Sequence, residues 1–570
     1  MGIGRREAEK ESRRINILKV ILVIMFIVVV IIGIYFLVKN LGKQTNEDYN
    51  EKIEDALVQE VEEVKEKTIE EIVSEFGGEI KEQVNNDTYY IMKDGKEYTA
   101  YLDGDVVEGR IAIWNGTASQ PAVDEAGNLN IYNAEELKWV ADQVISGAKN
   151  FSGVTITLRQ HIDLGARKND DGSWSGTLWT PIIGFLDELP KTENTNQTQN
   201  EVAVQEEVYD DSVNVTKENL KRFAGVFNGN GFSIRGLNID SDKRYEGLFG
   251  FNAGIISNLT IKNSNIKGGT GVGAIAGLNS GTIENCYLEN VEVKGNEKVG
   301  GFAGISMENS RVDRCNITGD NTFVYADKYA GGIIGYTNNN ATILNCSNRA
   351  NVTGKDYIGG ISGIIFYGTT VQNSSNMAMN VVGENYVGGI AGYSLAQIQN
   401  SYNHNTDDKN GIVSGNNYVG GIVGLNYTMG NITDSYNSGE IIIKGDNGGG
   451  IAGLNNASIS NTYNTGKINA EETNGAKIGG ICGQNISESY IYTSYNTGNI
   501  SVKNSGDGVV GANFGTVENC FYLETTINSQ NTENARNDDD MKNSILSNLG
   551  ESFKTDTENK NSGYPILSWQ

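Results

Sequence analysis

A glycine-rich unit recurs from about Tyr245 to Cys520, and a fixed period in this range restricts the fold to a solenoid or a repeat array. Its clearest copies are Val387-Gly388-Gly389-Ile390-Ala391-Gly392 and Val419-Gly420-Gly421-Ile422-Val423-Gly424. A second marker follows each: Ile398-Gln399-Asn400-Ser401-Tyr402-Asn403 in one, Ile432-Thr433-Asp434-Ser435-Tyr436-Asn437 in the other. The pair of markers starts again at Tyr245, Val272, Val299, Ala330, Ile358, Val387, Val419, Gly448, Ile478 and, more weakly, near Gly506, so the steps run from 27 to 32 residues.

A unit of this length is too short for a strand–helix–strand crossover with its partners. It holds short β-prone runs divided by Gly and Asn, enough for three strands and their bends, which is one coil of a parallel β-helix. Ile275, Phe302, Ile333, Ile361, Ile390, Ile422, Ile451 and Ile481 fill one slot. Ile256, Ile283, Val312, Ile343, Val371, Ile398, Ile432, Ile459, Ile491 and Val517 fill another. Stacked turn on turn, they form apolar ladders inside the coil, and the paired glycines permit a tight corner or a close backbone approach. A third slot holds Asn258, Asn285, Asn345, Asn373, Asn400, Asn461 and Asn519, with Arg314, Asp434 and Thr493 as departures. Asn tolerates the left-handed conformation at a bend, so this slot reads as structural. The chain is expected to be mainly β, a parallel β-helix of about ten coils over 245–523, roughly 48 Å long.

Composition narrows the chemistry. The prolines Pro121, Pro181, Pro190 and Pro565 all lie outside the repeats, as a fully paired backbone ladder requires. The net charge of −26 repels phosphate backbones and argues against nucleic acid as a partner. His161 and His404 are far apart, and HExxH, CxxC and GxxxxGK[ST] motifs are missing, so neither a zinc protease nor a P-loop enzyme is supported. No metal or cofactor is expected. Cys286, Cys315, Cys346 and Cys520 occupy one repeat position and Cys482 another. They read as small apolar fillers. A Cys286–Cys315 or Cys315–Cys346 bridge between adjacent turns is the alternative.

The flanks divide further. Residues 1–19 form a basic tail with Arg5, Arg6, Lys10, Arg13, Arg14 and Lys19. Val20–Val38 is uncharged and long enough to span a hydrocarbon core at about 1.5 Å per residue, so 20–38 is predicted to be an uncleaved transmembrane helix. The basic side would stay in the cytoplasm and the bulk of the chain would lie outside. Residues 46–83 read as an acidic amphipathic helix or stalk ended by Gly77-Gly78. Strands are expected over Thr88–Met92 and Tyr98–Leu102, joined at Asp94-Gly95, with a third over Arg110–Trp114, in a small β element at 88–118. Residues 122–244 read as an N-terminal cap containing a helix that starts at Asn133-Ala134-Glu135-Glu136, a strand at 154–158 and a disordered acidic loop at 186–220. Residues 524–570 read as a C-terminal cap, with an N-capped short helix after Asp538-Asp539-Asp540 that ends at Gly550.

The runs Gly277-Leu278-Asn279, Gly424-Leu425-Asn426 and Gly453-Leu454-Asn455, with the flanking Gly-Gly-Ile-Ala-Gly and Ile-x-Asn-Ser-Tyr-Asn-x-Gly patterns, resemble the GLUG repeat of bacterial surface proteins. The Asn133–Leu164 block, Trp179-Thr180-Pro181-Ile182, Phe223–Ile239 and the Gly-Tyr-Pro-Ile-Leu end are similar to segments that bracket such repeats, so the resemblance covers about Ala122–Gln570. It implies an extracellular β-helical region, usually right-handed, as found in adhesins and in accessory parts of secreted enzymes. Some relatives join GLUG repeats to a zinc peptidase; this chain has no such segment, and its predicted anchor is N-terminal rather than a C-terminal sorting signal.

Tyr402, Tyr436, Tyr463, Tyr495 and Phe521 share one slot in successive coils. An outward aromatic stripe is a candidate ligand-binding surface for sugar rings; the structural reading is ladder stacking or partial burial beneath a loop. Asn348, Asn376, Asn403, Asn437, Asn464 and Asn496 follow nearby and could hydrogen-bond a glycan or mark turns. Arg311, Arg314 and Arg349 with Asp313 make the nearest basic group, without the layout of a catalytic site. The expected function is therefore non-catalytic adhesion or interaction at the cell surface, with a glycan or cell-surface protein as partner and the membrane reached through the N-terminal helix. A β-helical polysaccharide lyase or glycoside hydrolase, and a structural spacer of the envelope, are the other readings, because the fold alone does not choose.

Overall fold

A computed structural model describes residues 67–570 apart from 86–87, 103, 112, 170, 181–220, 320, 405–410, 472–476, 504 and 530. The basic tail, the apolar run 20–38, most of the expected stalk and the acidic loop 186–220 lie outside the described residues. Among those described, no helix is long and apolar enough to cross a membrane. The chain divides into two compact units, Met1–Arg110 and Ile111–Gln570.

In the first unit, helix Ile69–Phe76 begins at a full capping box between Thr68 and Glu71 and ends at Gly77, whose φ of 73° is open mainly to glycine. The next residues do not extend the stalk. Strand Glu79–Asn85 pairs antiparallel with Thr88–Lys93, which pairs with Lys96–Tyr101 around the positive-φ turn Asp94-Gly95. The last strand is Val106–Glu108, not Arg110–Trp114. Apolar Ile69 and Val73 of the helix pack on Ile91 and Ala100 of this sheet.

The second unit is a parallel β-solenoid of about 12 turns rather than ten. The difference lies in the segment expected to act only as a cap. Leu129 pairs with Ile156, Ile156 with Phe227 and Phe227 with Ile256, in the same register that continues through Ile283, Val312, Ile343, Val371 and Ile398. These early turns lack the glycine markers, so their periodicity shows only in three dimensions. Helix Ala134–Ile145 is inserted between the first two strands. Its N-cap Asn133 accepts the Glu136 N–H, while the Glu136 carboxylate accepts from Tyr132 N at 2.6 Å. Leu137, Val140, Ala141 and Val144 join the solenoid core and close its first turn, where stacking would otherwise leave apolar side chains open.

Both expected apolar ladders are inside. In the marker slot the backbone bonds run from turn to turn, Ile390 N to Ile422 O at 2.9 Å and Ile422 N to Ile451 O at 3.0 Å, with all three side chains fully buried. The expected asparagine bend has the predicted conformation, with φ near 50° at Asn258, Asn285, Asn345, Asn373, Asn400, Asn461 and Asn519 and at the departures Arg314, Asp434 and Thr493. The paired glycines serve close approach rather than a left-handed turn: a Cβ on Gly389 would strike Gly421 O in the next turn and the Asn403 side chain.

All five cysteines are buried and free. The slot of Cys286, Cys315 and Cys346 holds Ser374 and Ser401 in later turns. The Cys346 thiol donates to Leu344 O at 3.2 Å as the Ser374 hydroxyl donates to Gln372 O at 3.0 Å. Cysteine thus fills a small slot that wants one weak donor. Burial pushes the Cys482 and Cys520 thiols up to about 12, which keeps them protonated and inert.

Candidate functional site

Parallel pairing places Tyr402, Tyr436, Tyr463, Tyr495 and Phe521 in one column. The rings lie outside the solenoid core and stack face to face, with centroids 5.0, 4.9 and 5.2 Å apart along Tyr402–Tyr436–Tyr463–Tyr495 and planes within 8°. The C-terminal segment roofs the column. Met541, Ile545, Leu549, Phe553 and Leu567 pack on it, leaving Tyr463 2%, Tyr495 0% and Phe521 6% exposed. Tyr463 hydroxyl donates to Gln570 Oε1 at 3.0 Å, Tyr495 hydroxyl donates to Pro565 O, and Asn561 Nδ2 donates to Tyr495 hydroxyl at 2.6 Å. Trp569 lies 6.1 Å from both Tyr402 and Tyr436, and its indole N–H donates to Asp434 O at 2.9 Å. Only Tyr402 and Tyr436 remain half-buried. The stripe points outward as expected, but its ring faces meet one another and most of its edges meet the chain's own C-terminus.

That burial has a measurable consequence. Burial first, then the neighbouring tyrosine, holds the Tyr463 and Tyr495 phenols protonated well above 10.0. An unfolded chain ionises these phenols near pH 10 while the native chain keeps its protons, so the unfolded state binds fewer protons there and stability falls as pH rises. Melting temperatures should be flat between about pH 8 and pH 9 and drop steeply above about pH 10. Phenolate absorbance from these residues should appear only together with unfolding; ordinary titration in the native state would contradict the burial.

The asparagines offered for glycan binding face inward. Asn348, Asn376, Asn403, Asn437, Asn464 and Asn496 are all buried and joined in one chain of amide bonds of 2.6–2.8 Å. Asn348, Asn437, Asn464 and Asn496 also close the local turn; Asn437, for example, accepts from Gly439 N at 3.2 Å and donates to Gly439 O at 3.0 Å. At Asn437 and Asn464 both amide protons and both carbonyl lone pairs are taken within the chain. Simple strand alternation does not carry through this stretch, because the bend at the preceding left-handed residue resets which side chains point in.

The arginine departure is a repair of the outer ladder. Asn345 would donate to an asparagine in the previous turn, but Arg314 stands there. Asn345 Nδ2 instead reaches the buried Asp313 Oδ1 at 2.8 Å, and Asp313 is paired with Arg311 at 2.8 Å and Arg314 at 2.5 Å. Burial would raise the Asp313 pKa, yet the Asn345 hydrogen bond and the two guanidiniums hold it below the usual carboxylate range. Among the described residues, no group of His, Cys, Asp and Glu is placed to hold a metal ion.

Two surface features went unread in the sequence. Tyr329, Tyr357, Tyr386 and Tyr418 each directly precede a glycine marker and adopt φ of 55–65°. The last three rings stack at 4.7 and 4.9 Å with planes within 4°. Tyr393, Ile364, Leu425 and Tyr427 join Tyr329, Tyr357 and Tyr386 in an outer apolar cluster, with the Lys328 ammonium 4.7 Å from the Tyr329 ring. The signal was present in the recurring Tyr-x-Gly, but nothing local requires a tyrosine in the left-handed region. The second feature is a groove of about 320 Å³ lined by Asn230, Gly231, Asn258, Thr260, Asn285 and Tyr287, spanning three turns.

The family model described as the GLUG motif matches residues 415–442, one turn that contains Tyr418, Gly424-Leu425-Asn426 and Tyr436-Asn437. The chain thus carries the GLUG repeat of bacterial surface proteins. No curated protein matches it. Among solved structures, a crystal structure described as "a putative immunoglobulin A1 protease from Bacteroides ovatus" aligns over 80% of this chain and 96% of its own, at 16% identity and a TM-score of 0.28.

Proposed function

We propose that this GLUG-repeat chain is a non-catalytic interaction protein of the bacterial cell surface. The β-solenoid would be carried outside the membrane by the uncharged run Val20–Val38 and would bind a glycan or a protein partner along its wall. The reading rests on how the repeat distributes its polar groups. Buried polar positions that recur from turn to turn are satisfied by their own copies, as in the buried asparagine chain, and the tyrosines of the C-terminal turns stack on one another. The outward slot beside the second apolar ladder changes instead: Arg311, Thr342, Thr370, Gln397, Asn431, Ser458 and Tyr490 follow one another in register. A scaffold of constant interior and varied exterior suits recognition along an extended surface.

The test uses the full chain in detergent, screened against a glycan array and against cell-surface protein extracts. Each bound glycan is then incubated with the chain and assayed for new reducing or unsaturated ends. Saturable binding without new ends is the expected result. Product formation would replace the proposal with a lyase or hydrolase, and inertness in every arm would replace it with an envelope spacer.

A further inference from the structure

We propose that the groove at Asn230, Asn258, Thr260, Asn285 and Tyr287 is a binding site for a neutral saccharide, an inference that rests on the surface-binding reading above and names its site and ligand class. The groove follows the left-handed asparagine bend, where Asn230, Asn258 and Asn285 have φ of 54°, 55° and 52°. Those bends turn the amides to the outside of the wall. Asn258 Nδ2 donates to Asn228 Oδ1 at 3.0 Å and Asn285 Nδ2 donates to Asn258 Oδ1 at 2.6 Å. A primary amide carries two N–H donors, so each asparagine keeps one that no hydrogen bond among the described residues takes. Successive turns repeat these donors at about the strand spacing of 4.8 Å, suited to the row of hydroxyls on an extended sugar chain.

Tyr287 forms the facing wall. It is half-buried, and its hydroxyl lies 3.3 Å from Asn285 Oδ1. Its column neighbours are Thr260 and Asn316, neither aromatic. The Tyr287 ring face is therefore not taken by a stacked ring, in contrast to Tyr436 and Tyr463 in the same column. An aromatic face beside amide donors can meet the C–H face of a pyranose while the amides meet its hydroxyls.

The chain displays this chemistry on itself further along the bend. Asn461 Nδ2 donates both to Asp434 Oδ1 at 3.1 Å and to Ser552 Oγ of the C-terminal segment at 2.9 Å. An amide of this column thus holds a hydroxyl from outside while remaining in its ladder. Around it, Trp569 packs on Tyr402 and Tyr436 and Gln570 bonds Tyr463. The C-terminal segment covers the asparagine column at that end; at Asn258 and Asn285 the column borders the open groove.

The charges beside the groove favour a neutral ligand. Lys262 pairs with Glu289 at 3.4 Å, and Arg314, one turn on, pairs with Glu284 at 3.4 Å and Asp313 at 2.5 Å. The lining itself is uncharged, and the chain's net charge of −26 repels uronates and sulfated sugars.

The full chain is titrated calorimetrically with cello-, manno- and galacto-hexaose and with an oligogalacturonate of equal length. Two variants follow: Tyr287→Ala, and Asn285→Asp, which removes a donor but keeps a residue the bend tolerates, as Asp434 shows at φ 49°. At least one neutral hexaose should bind, and each variant should weaken it about tenfold or more at unchanged melting temperature. If Asn285→Asp unfolds, the outward Tyr287→Ala decides. Binding that Tyr287→Ala leaves intact overturns the site while the surface-binding reading stands. Preference for the oligogalacturonate overturns the ligand class. Failure of every sugar overturns the inference outright, and the reading it rests on is then judged separately by capture of cell-surface protein.

Discussion

Ile422→Asp is expected to melt the solenoid as a unit. Ile422 is fully buried in the marker ladder between Ile390 and Ile451. The substitution removes the three apolar carbons beyond Cβ and places a carboxylate in the apolar core. Loss of the aliphatic side chain alone costs about 2–5 kcal/mol, and the stranded charge or its forced protonation adds several more. That total is comparable with the whole stability of a typical domain, about 5–15 kcal/mol. A turn cannot bury its core alone, so failure at one interface exposes the faces of both neighbours. Circular dichroism should show either no folded chain or one transition at much lower temperature, and hydrogen exchange should show protection lost across many turns. Loss confined to the turn of residue 422 would mean the turns are independently stable and the continuous core is not what holds them. Ile422→Val, by contrast, should cost only about 1 kcal/mol.

Asn437→Leu should be nearly as damaging, although it replaces a polar residue by an apolar one in a buried position. Asn437 accepts from Asn403 Nδ2 at 2.6 Å and donates to Asn464 Oδ1 at 2.7 Å, besides closing its own turn through Gly439. Removing the amide strands the Asn403 donor and both polar groups of Gly439, and takes one of two hydrogen bonds from Asn464 Oδ1, which keeps the Gly466 N–H at 3.2 Å. At about 1–3 kcal/mol for each stranded group, the loss should be roughly 4 kcal/mol or more. Space aggravates it: the Asn437 side chain occupies the room a Cβ on Gly421 would need, so the bulkier methyls of leucine have little space to shift into. The matched comparison is Asn373→Ala in the outer ladder. Asn373 also makes interturn amide bonds, of 3.2 and 3.3 Å, but water can replace them, so only about 1 kcal/mol for the left-handed bend is expected. Urea unfolding of the two variants should separate them clearly. Equal costs would mean the buried chain of amides contributes no more than the exposed one.

The contrast between these two asparagine columns shows where reading by residue type stops. Both recur with the repeat period, three residues apart in each turn, and in sequence they look alike. Asn400 takes the left-handed bend and faces solvent; Asn403, just past it, faces the interior and touches Gly389 of its own turn. The same bend decides the fate of Tyr402, which lies between them and points out. Strand alternation fixes orientation only along an unbroken run, and one residue at positive φ rotates everything after it. The tyrosine stripe was therefore visible as a column, but its roof was not. Met541, Ile545, Phe553 and Leu567 reach it from a segment without the repeat, and no spacing rule connects Gln570 to Tyr463. The C-terminal helix cap is a smaller case. Asn537, not the aspartate triplet, accepts the Asp540 N–H; the three aspartates accept from Lys542, Asn543 and Ser544, each four residues on, and Asp538 also from the Tyr564 hydroxyl.

The sequence alone determined the coil. A period of about 29 residues, apolar slots in register, glycine where the next turn approaches and asparagine at the bend leave little choice but a stacked parallel β-helix, because each of those constraints is local to one turn and repeats identically. The tertiary structure alone decided how many turns there are, which outward columns stay open and which are sealed. Those depend on segments outside the period: Leu129–Leu158, whose early strands join the stack without glycine markers, and the C-terminal residues, whose apolar side chains cover Tyr463, Tyr495 and Phe521 and leave the groove at Asn258, Asn285 and Tyr287 to solvent. Burial is a relation between distant parts of the chain, and no single turn carries it.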